Sequence, residues 1–187
     1  MIILFEGCRN SGKSYMGSKV SESLGIPRFQ FDFAKYFTDL GLVSSGNPGA
    51  QNFAIGKELM LLQLERDGFI PNNVIVDRGF LTVLAWGILE KRITYHQAFE
   101  QLDMLYKNGL LKNVCVFYID GENPKKRGSG KDAWDFAESD SRENEAYKAI
   151  FDYIDQKNYS IKINIFRNNF DDESLKRLIK EVNICAV

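Results

Sequence analysis

Histidine and cysteine are scarce, neither sign of charge prevails, and no apolar stretch is long; each shortage removes a class of function. The one histidine, His96, falls in what reads as a first helical turn and is a surface residue rather than a catalyst. The three cysteines, Cys8, Cys115 and Cys185, are odd in number and share no metal-type spacing. They fit a reduced intracellular compartment without disulfides or structural zinc, and Cys8 reads as a small filler. The 24 basic and 25 acidic residues nearly cancel. No global positive field therefore recruits nucleic acid or an acidic membrane, which leaves only a local basic patch open. No apolar run approaches bilayer thickness, and no basic leader with a cleavage site precedes the first apolar run, so the expected location is cytoplasmic. No internal repeat is visible.

What is present begins at once. Met1-Ile2-Ile3-Leu4-Phe5 runs into Gly7-Cys8-Arg9-Asn10-Ser11-Gly12-Lys13-Ser14, which fits G-x-x-x-x-G-K-[ST] in its required setting, a strand before and a helix from Lys13 to about Leu24 after. Two glycines let the loop turn backbone N–H groups inward around phosphate oxygens, and the helix N-terminus adds its positive end. A nucleoside triphosphate such as ATP would then be held by Gly7, Asn10, Ser11, Gly12, Lys13, Ser14 and Tyr15. Lys13 bridges the β- and γ-phosphates, and the Ser14 hydroxyl takes one position on Mg²⁺.

Further apolar runs alternate with helical patterns, the signature of β-α units and a parallel sheet. Strands are expected near Ile26 to Phe31, at Asn73 to Asp77, at Val114 to Ile119 and at Ser160 to Phe166. Ile55, Leu59 and Leu62 define a helix from about Gln51 to Arg66. Thr94 to Gln97 reads as a capping box ahead of Ala98, Leu102 and Leu105, with Gly109 ending that helix. Leu175, Leu178, Ile179 and Val182 mark a last amphipathic helix capped by Asp171 or Asp172. The whole, 1–187, reads as one α/β domain with a mobile lid at about 121–142, basic and glycine-rich, placed beyond the fourth strand where ligands of open α/β sheets lie.

Asp77-Arg78, ending the third strand beside the phosphate loop, is the second constellation. Its carboxylate suits Mg²⁺ or a proton-accepting role, and its guanidinium suits bidentate capture of a phosphate. Lys125, Lys126, Arg127 and Lys131 of the lid can neutralise charge on a transferred phosphoryl group. Among the aromatics Phe29, Phe31, Phe33, Tyr36 and Phe37, Phe33 is a candidate for stacking on an acceptor base. Asp32 is a candidate for hydrogen bonding to that base or its sugar.

Phe5 to Ser14 resembles the opening of thymidylate kinases and related deoxynucleoside kinases, where an apolar strand runs into Glu-Gly and the phosphate loop. Asp77-Arg78-Gly79-Phe80-Leu81-Thr82-Val83-Leu84-Ala85-Trp86 is similar to their Asp-Arg-Tyr stretch, with Gly79 in place of the aromatic. The resemblance implies a three-layer P-loop NTPase fold with a five-stranded parallel sheet flanked by helices, ATP as donor, Mg²⁺, with Lys13 and Ser14 serving ATP and metal, and a pyrimidine deoxynucleoside monophosphate as acceptor. It further implies Arg78 on the acceptor phosphate and Arg127 or a neighbour as the lid cation. Arg9 stands where many thymidylate kinases carry an acid, and Asn10 where one class carries a catalytic arginine, so Arg9 takes over that cationic role or marks a different acceptor. Dimers packed through helices are common among these enzymes, and the apolar Ala85-Trp86-Gly87-Ile88-Leu89 run is the candidate contact.

Three readings follow. A nucleotide kinase needs Asp77 only to organise metal and Arg78. A kinase acting on a hydroxyl, of a nucleoside, a modified base or a nucleic-acid end, needs Asp77 or Glu6 as base. A nucleotide-dependent switch would use the same loop with a partner reading its state, but no Asn-Lys-x-Asp guanine-reading motif is present.

Overall fold

The computed structural model describes residues 1–9, 11–30, 39–41, 46–70, 72–121 and 132–186, the side chains of 132–140 excepted. Five strands, β1 (Ile2–Glu6), β2 (Arg28–Gln30), β3 (Val74–Asp77), β4 (Val114–Asp120) and β5 (Lys162–Arg167), form one sheet in the order β2-β3-β1-β4-β5. Every pairing is parallel. The helices are α1 (Lys13–Leu24), α2 (Pro48–Arg66), α3 (Phe80–Leu89), α4 (Tyr95–Lys107), α5 (Asp132–Gln156) and α6 (Asp172–Ala186).

The central strand explains the layering. All five residues of β1 are buried, because it has a strand on each side and helices on both faces. With a side-chain period of two, Ile2 and Leu4 join Val74, Val76, Val114 and Val116 under α2, α3, α4 and α5. Ile3 and Phe5 join Ile75, Cys115 and Phe117 on the other face, against Met16 and Val20 of α1 and Leu178 and Val182 of α6. Each such fully buried aliphatic side chain contributes roughly 1.5–3 kcal/mol.

Helix ends follow the local signals. Thr94 and Gln97 form the capping box, with Gln97 N donating to Thr94 Oγ1 and Thr94 N to Gln97 Oε1. Asp171 accepts from Ser174 N at 2.7 Å and so caps α6. Asn47 caps α2, accepting from Gly49 N. The chain is helical from Asp132, so part of the segment read as lid belongs to α5.

Cys115 and Cys185 correct one expectation. The structure joins them as a disulfide across 70 residues of sequence, where none was expected. The docking of α6 onto the sheet face that carries Cys115 brings them together, and such a contact leaves no mark in residue spacing. Ala85 and Gly87 are buried inside the protomer, so that side of the 85–89 run is taken up by the chain's own packing. Among the described residues, no helix is long and apolar enough to cross a membrane.

One buried carboxylate ties the layers at the sheet's carboxyl edge. Glu6, the last residue of β1, accepts from Gly79 N at 3.0 Å, Leu81 N at 3.2 Å and Thr82 N at 3.1 Å, the unpaired donors at the start of α3. It also accepts from the Thr82 hydroxyl, and Thr82 Oγ1 and Tyr147 OH of α5 lie 2.8 Å apart. Burial nevertheless pushes the Glu6 carboxyl up to about 7, outweighing the Thr82 hydrogen bond that favours its charged form. The folded state thus keeps a proton that the unfolded chain loses near 4.5, and the native form binds more protons between these values. Stability therefore falls as pH rises from about 4.5 to about 7 and levels off above. Glu6→Gln should flatten that slope in thermal melts. Its amide nitrogen, facing backbone donors, should also cost about 1–3 kcal/mol. An unchanged slope would remove Glu6 as the titrating group.

Candidate active site

The phosphate-loop residues sit where β1 meets α1, at the carboxyl edge of the sheet. Gly7 and Gly12 have φ of +137° and +86°. A Cβ on Gly7 would stand 2.5 Å from the Ile119 carbonyl oxygen, and one on Gly12 2.5 Å from Asn168 Nδ2. Only glycine fits either place. Lys13 is buried, its ammonium donating to the Cys8 carbonyl at 2.8 Å. Burial, followed by the nearby charge of Arg78, pulls Lys13 down to about 8, against the opposing pull of Glu143, Asp77 and Glu6. Ser14 is half-buried at the second position of α1, while Tyr15 is exposed. Ser11 Oγ is buried without a partner among the described residues.

Neighbouring elements hold this loop. Asn168, after β5, donates from Nδ2 to the Ser11 carbonyl at 2.8 Å and from its backbone to the Asp120 carbonyl at 2.7 Å. Cys8 Sγ donates to Asn144 Oδ1 of α5 at 3.0 Å, and Tyr118 OH of β4 donates to the same oxygen at 3.0 Å. Cys8 is thus a tether between loop and helix as well as a filler.

Asp77 ends β3 fully buried. Its Oδ2 accepts from Arg28 of β2 at 2.6 Å, and its Oδ1 has no partner among the described residues. An orphaned, ionisable oxygen here and the hydroxyl of Ser14 are hard donors of the kind Mg²⁺ takes, so the residues present fit that ion.

Arg78 follows in the left-handed region, φ +72°, unusual for a residue with a side chain. Gly79 comes next with Leu4 and Glu6 packed against it: a Cβ there would stand 2.7 Å from Leu4 Cδ2 and 3.1 Å from Glu6 Oε1. An aromatic at this position would have to displace both. The Arg78 guanidinium carbon lies 5.2 Å from the centroid of the Trp86 ring, and that of Arg9 lies 4.2 Å from the same centroid. Trp86 Nε1 donates to Glu143 Oε1 at 2.7 Å, and Arg9 N donates to Glu143 Oε2 at 3.2 Å. Arg9, Lys13, Arg78 and Arg28 therefore converge on one edge of the sheet, and the arrangement can hold an anion.

Asn10, Asp32, Phe33, Lys125, Lys126, Arg127 and Lys131 lie outside the described residues. Arg28, Trp86 as a platform for guanidinium groups, Glu143, Asn144 and Asn168 are site residues that the sequence reading did not single out. One signal could have found Glu143: it shares a helical face with Tyr147, Ile150 and Ile154, a charge on an otherwise apolar stripe.

The chain has the P-loop NTPase fold found in nucleoside and nucleotide kinases. It is similar to the deoxyadenosine kinase of M. mycoides solved with the product dCMP and a flexible dCDP, at 18% identity and TM-score 0.57, covering 98% of this chain and 100% of that one. The YorR protein of Bacillus subtilis, solved with phosphorylated GDP, matches at 16% identity and TM-score 0.60 over 98% and 94% of the two chains. Thymidylate kinase of Ehrlichia chaffeensis matches at 17% and 0.52 over 98% of each. No protein-family model and no curated protein matches the sequence.

The charged form of Lys13 is the one that binds an oxyanion. Affinity for a polyphosphate should therefore fall as pH rises through about 8, while Lys13→Arg should stay insensitive over the same range. Calorimetric titration with ATP between pH 7 and 9.5 checks this; identical pH profiles for the two proteins would refute it.

Proposed function

We propose that this chain is an ATP-dependent kinase that transfers the γ-phosphoryl group to a deoxynucleoside monophosphate, with a dTMP-like acceptor. The observation that carries the reading is the pair of guanidinium groups, Arg9 and Arg78, set against one indole ring beside the phosphate loop. An acceptor that is itself a phosphate suits such a pair. A bare hydroxyl would need a carboxylate base, and in this reading the buried carboxylates beside the loop serve otherwise. Glu6 holds the start of α3 and Glu143 takes Trp86 and the Arg9 amide, while Asp77, paired with Arg28 through Oδ2, gives its open Oδ1 to Mg²⁺.

In this reading the loop amides and Lys13 bind the β- and γ-phosphates of ATP, and Arg78 with Arg9 aligns the acceptor phosphate for in-line attack. No covalent enzyme intermediate forms, since positioning and charge stabilisation account for catalysis of phosphoryl transfer. Ser14 and Asp77 would hold Mg²⁺, which when bound neutralises charge on the phosphate oxygens. Arg127, with Lys125, Lys126 and Lys131, would supply the lid cation; that assignment rests on sequence. Asp32 and Phe33 are assigned to the acceptor nucleoside on the same basis.

One observation favours a second reading. The deoxyadenosine kinase similar to this chain was solved with dCMP as a product, so a nucleoside hydroxyl remains the alternative acceptor.

ATP consumption with Mg²⁺ against all nucleosides and nucleoside 5′-monophosphates, ribo and deoxy, tests the proposal, with products located by phosphorus NMR. A diphosphate from a single monophosphate is the expected outcome; a monophosphate formed from a nucleoside would transfer the bet to the second reading. Lys13→Ala should abolish turnover. Arg78→Ala should raise the acceptor KM or lower kcat by about 10- to 100-fold, the worth of a charge-assisted hydrogen bond, with ATP affinity little changed. Selective loss of ATP binding in Arg78→Ala would contradict the assignment.

A further inference from the structure

Trp86 is an unusual partner for two cations at once. The Arg9 and Arg78 guanidinium carbons both lie within 5.2 Å of the centroid of its ring, although like charges oppose such closeness. Each approach is the distance of a cation–π contact. The ring is not free to turn, because its Nε1–H donates to Glu143 Oε1 at 2.7 Å. The other oxygen of Glu143 accepts from the backbone of Arg9 at 3.2 Å. One buried carboxylate on α5 therefore orients the ring and fixes the chain position of one of the two arginines. Arg78 arrives from the end of β3, the strand paired with the central β1, its backbone in the left-handed region. Arg9 Nε is buried with no acceptor among the described residues, so this guanidinium keeps an unused donor.

We infer that Trp86, oriented by Glu143, is a positioning residue that presents Arg9 and Arg78 together as a cradle for an oxyanion, the phosphate of the acceptor. The inference rests on the kinase reading for the identity of that phosphate, but the cradle itself is a property of the fold. Trp86 acts through the two arginines and forms no bond in the reaction.

The test separates the two claims. In a Trp134→Phe background Trp86 is the only indole, since the chain has two tryptophans. Its fluorescence is followed while dTMP, and separately inorganic phosphate, is titrated in. Both probes should change the emission, and Arg9→Ala should abolish the change for phosphate. A response to phosphate with no turnover of any acceptor would keep the cradle and defeat the kinase reading. No response to either probe would overturn the cradle.

Steady-state kinetics with the acceptor then examine position. Trp86→Leu should raise the acceptor KM at least 10-fold and leave the ATP KM within about twofold. Trp86→Phe, which keeps a ring but loses the donor to Glu143, should fall between. In an Arg9→Ala, Arg78→Ala background Trp86→Leu should add nothing further to acceptor affinity measured by equilibrium binding. An additive loss there, or equal loss of ATP and acceptor affinity in Trp86→Leu, would overturn the positioning role. Because Trp86→Phe conserves most of the packing volume, a folding failure of the leucine variant leaves that measurement standing.

Discussion

Glu6 is the point on which the functional edge of the molecule hangs. A parallel sheet covered on both faces leaves the start of each following helix with unpaired N–H groups at its carboxyl edge. Here a carboxylate from the central strand satisfies three of those donors on α3 and reaches the hydroxyl of Thr82. That single side chain binds β1, α3 and, through Tyr147, α5. It also packs against Gly79, next to the left-handed Arg78 whose guanidinium lies near Trp86. Burying such a group is costly, and its elevated proton affinity is the trace of that cost.

The remaining charges follow a division of labour. Glu6 and Glu143 spend both oxygens on structural partners, the α3 N-terminus for the first and Trp86 with the Arg9 amide for the second, whereas Asp77 gives one oxygen to Arg28 and keeps the other without a partner among the described residues. Lys13, Arg9 and Arg78 have no such carboxylate partner among the described residues. Lys13 in particular sits at a lowered proton affinity, because burial and the neighbouring Arg78 both oppose its charge. An anion bound beside Lys13 would offset both effects by favouring the charged ammonium.

Local residues carry local roles well, and long-range ones badly. The placing of the glycines, Lys13 and Ser14 is readable because loop and helix start are continuous in sequence, and the two loop glycines do take positive φ. The position of Arg78 directly after a strand is readable in the same way. The Arg28–Asp77 pair is not, because it depends on β2 lying beside β3, a register set by crossover helices. Glu6 in the sequence is an acid next to a phosphate loop and so a candidate base; its role as a helix partner appears only when α3 is placed 73 residues further along. Glu143 and Asn144 are polar residues in a long helix until α5 is docked on α3 and the phosphate loop.

Sequence alone determined the strand and helix alternation, the glycine-bracketed loop between β1 and α1, the place of the acidic-basic pair at the end of β3 and the helix caps, because each depends on contacts within a few residues or on a two- or 3.6-residue period. Tertiary structure alone decided which carboxylates are consumed by packing and which cations remain, and it joined Cys115 to Cys185. Those outcomes depend on contacts between residues 49 to 141 positions apart in the chain. Neither periodicity nor propensity encodes such distances; the burial of two helical layers on one sheet does.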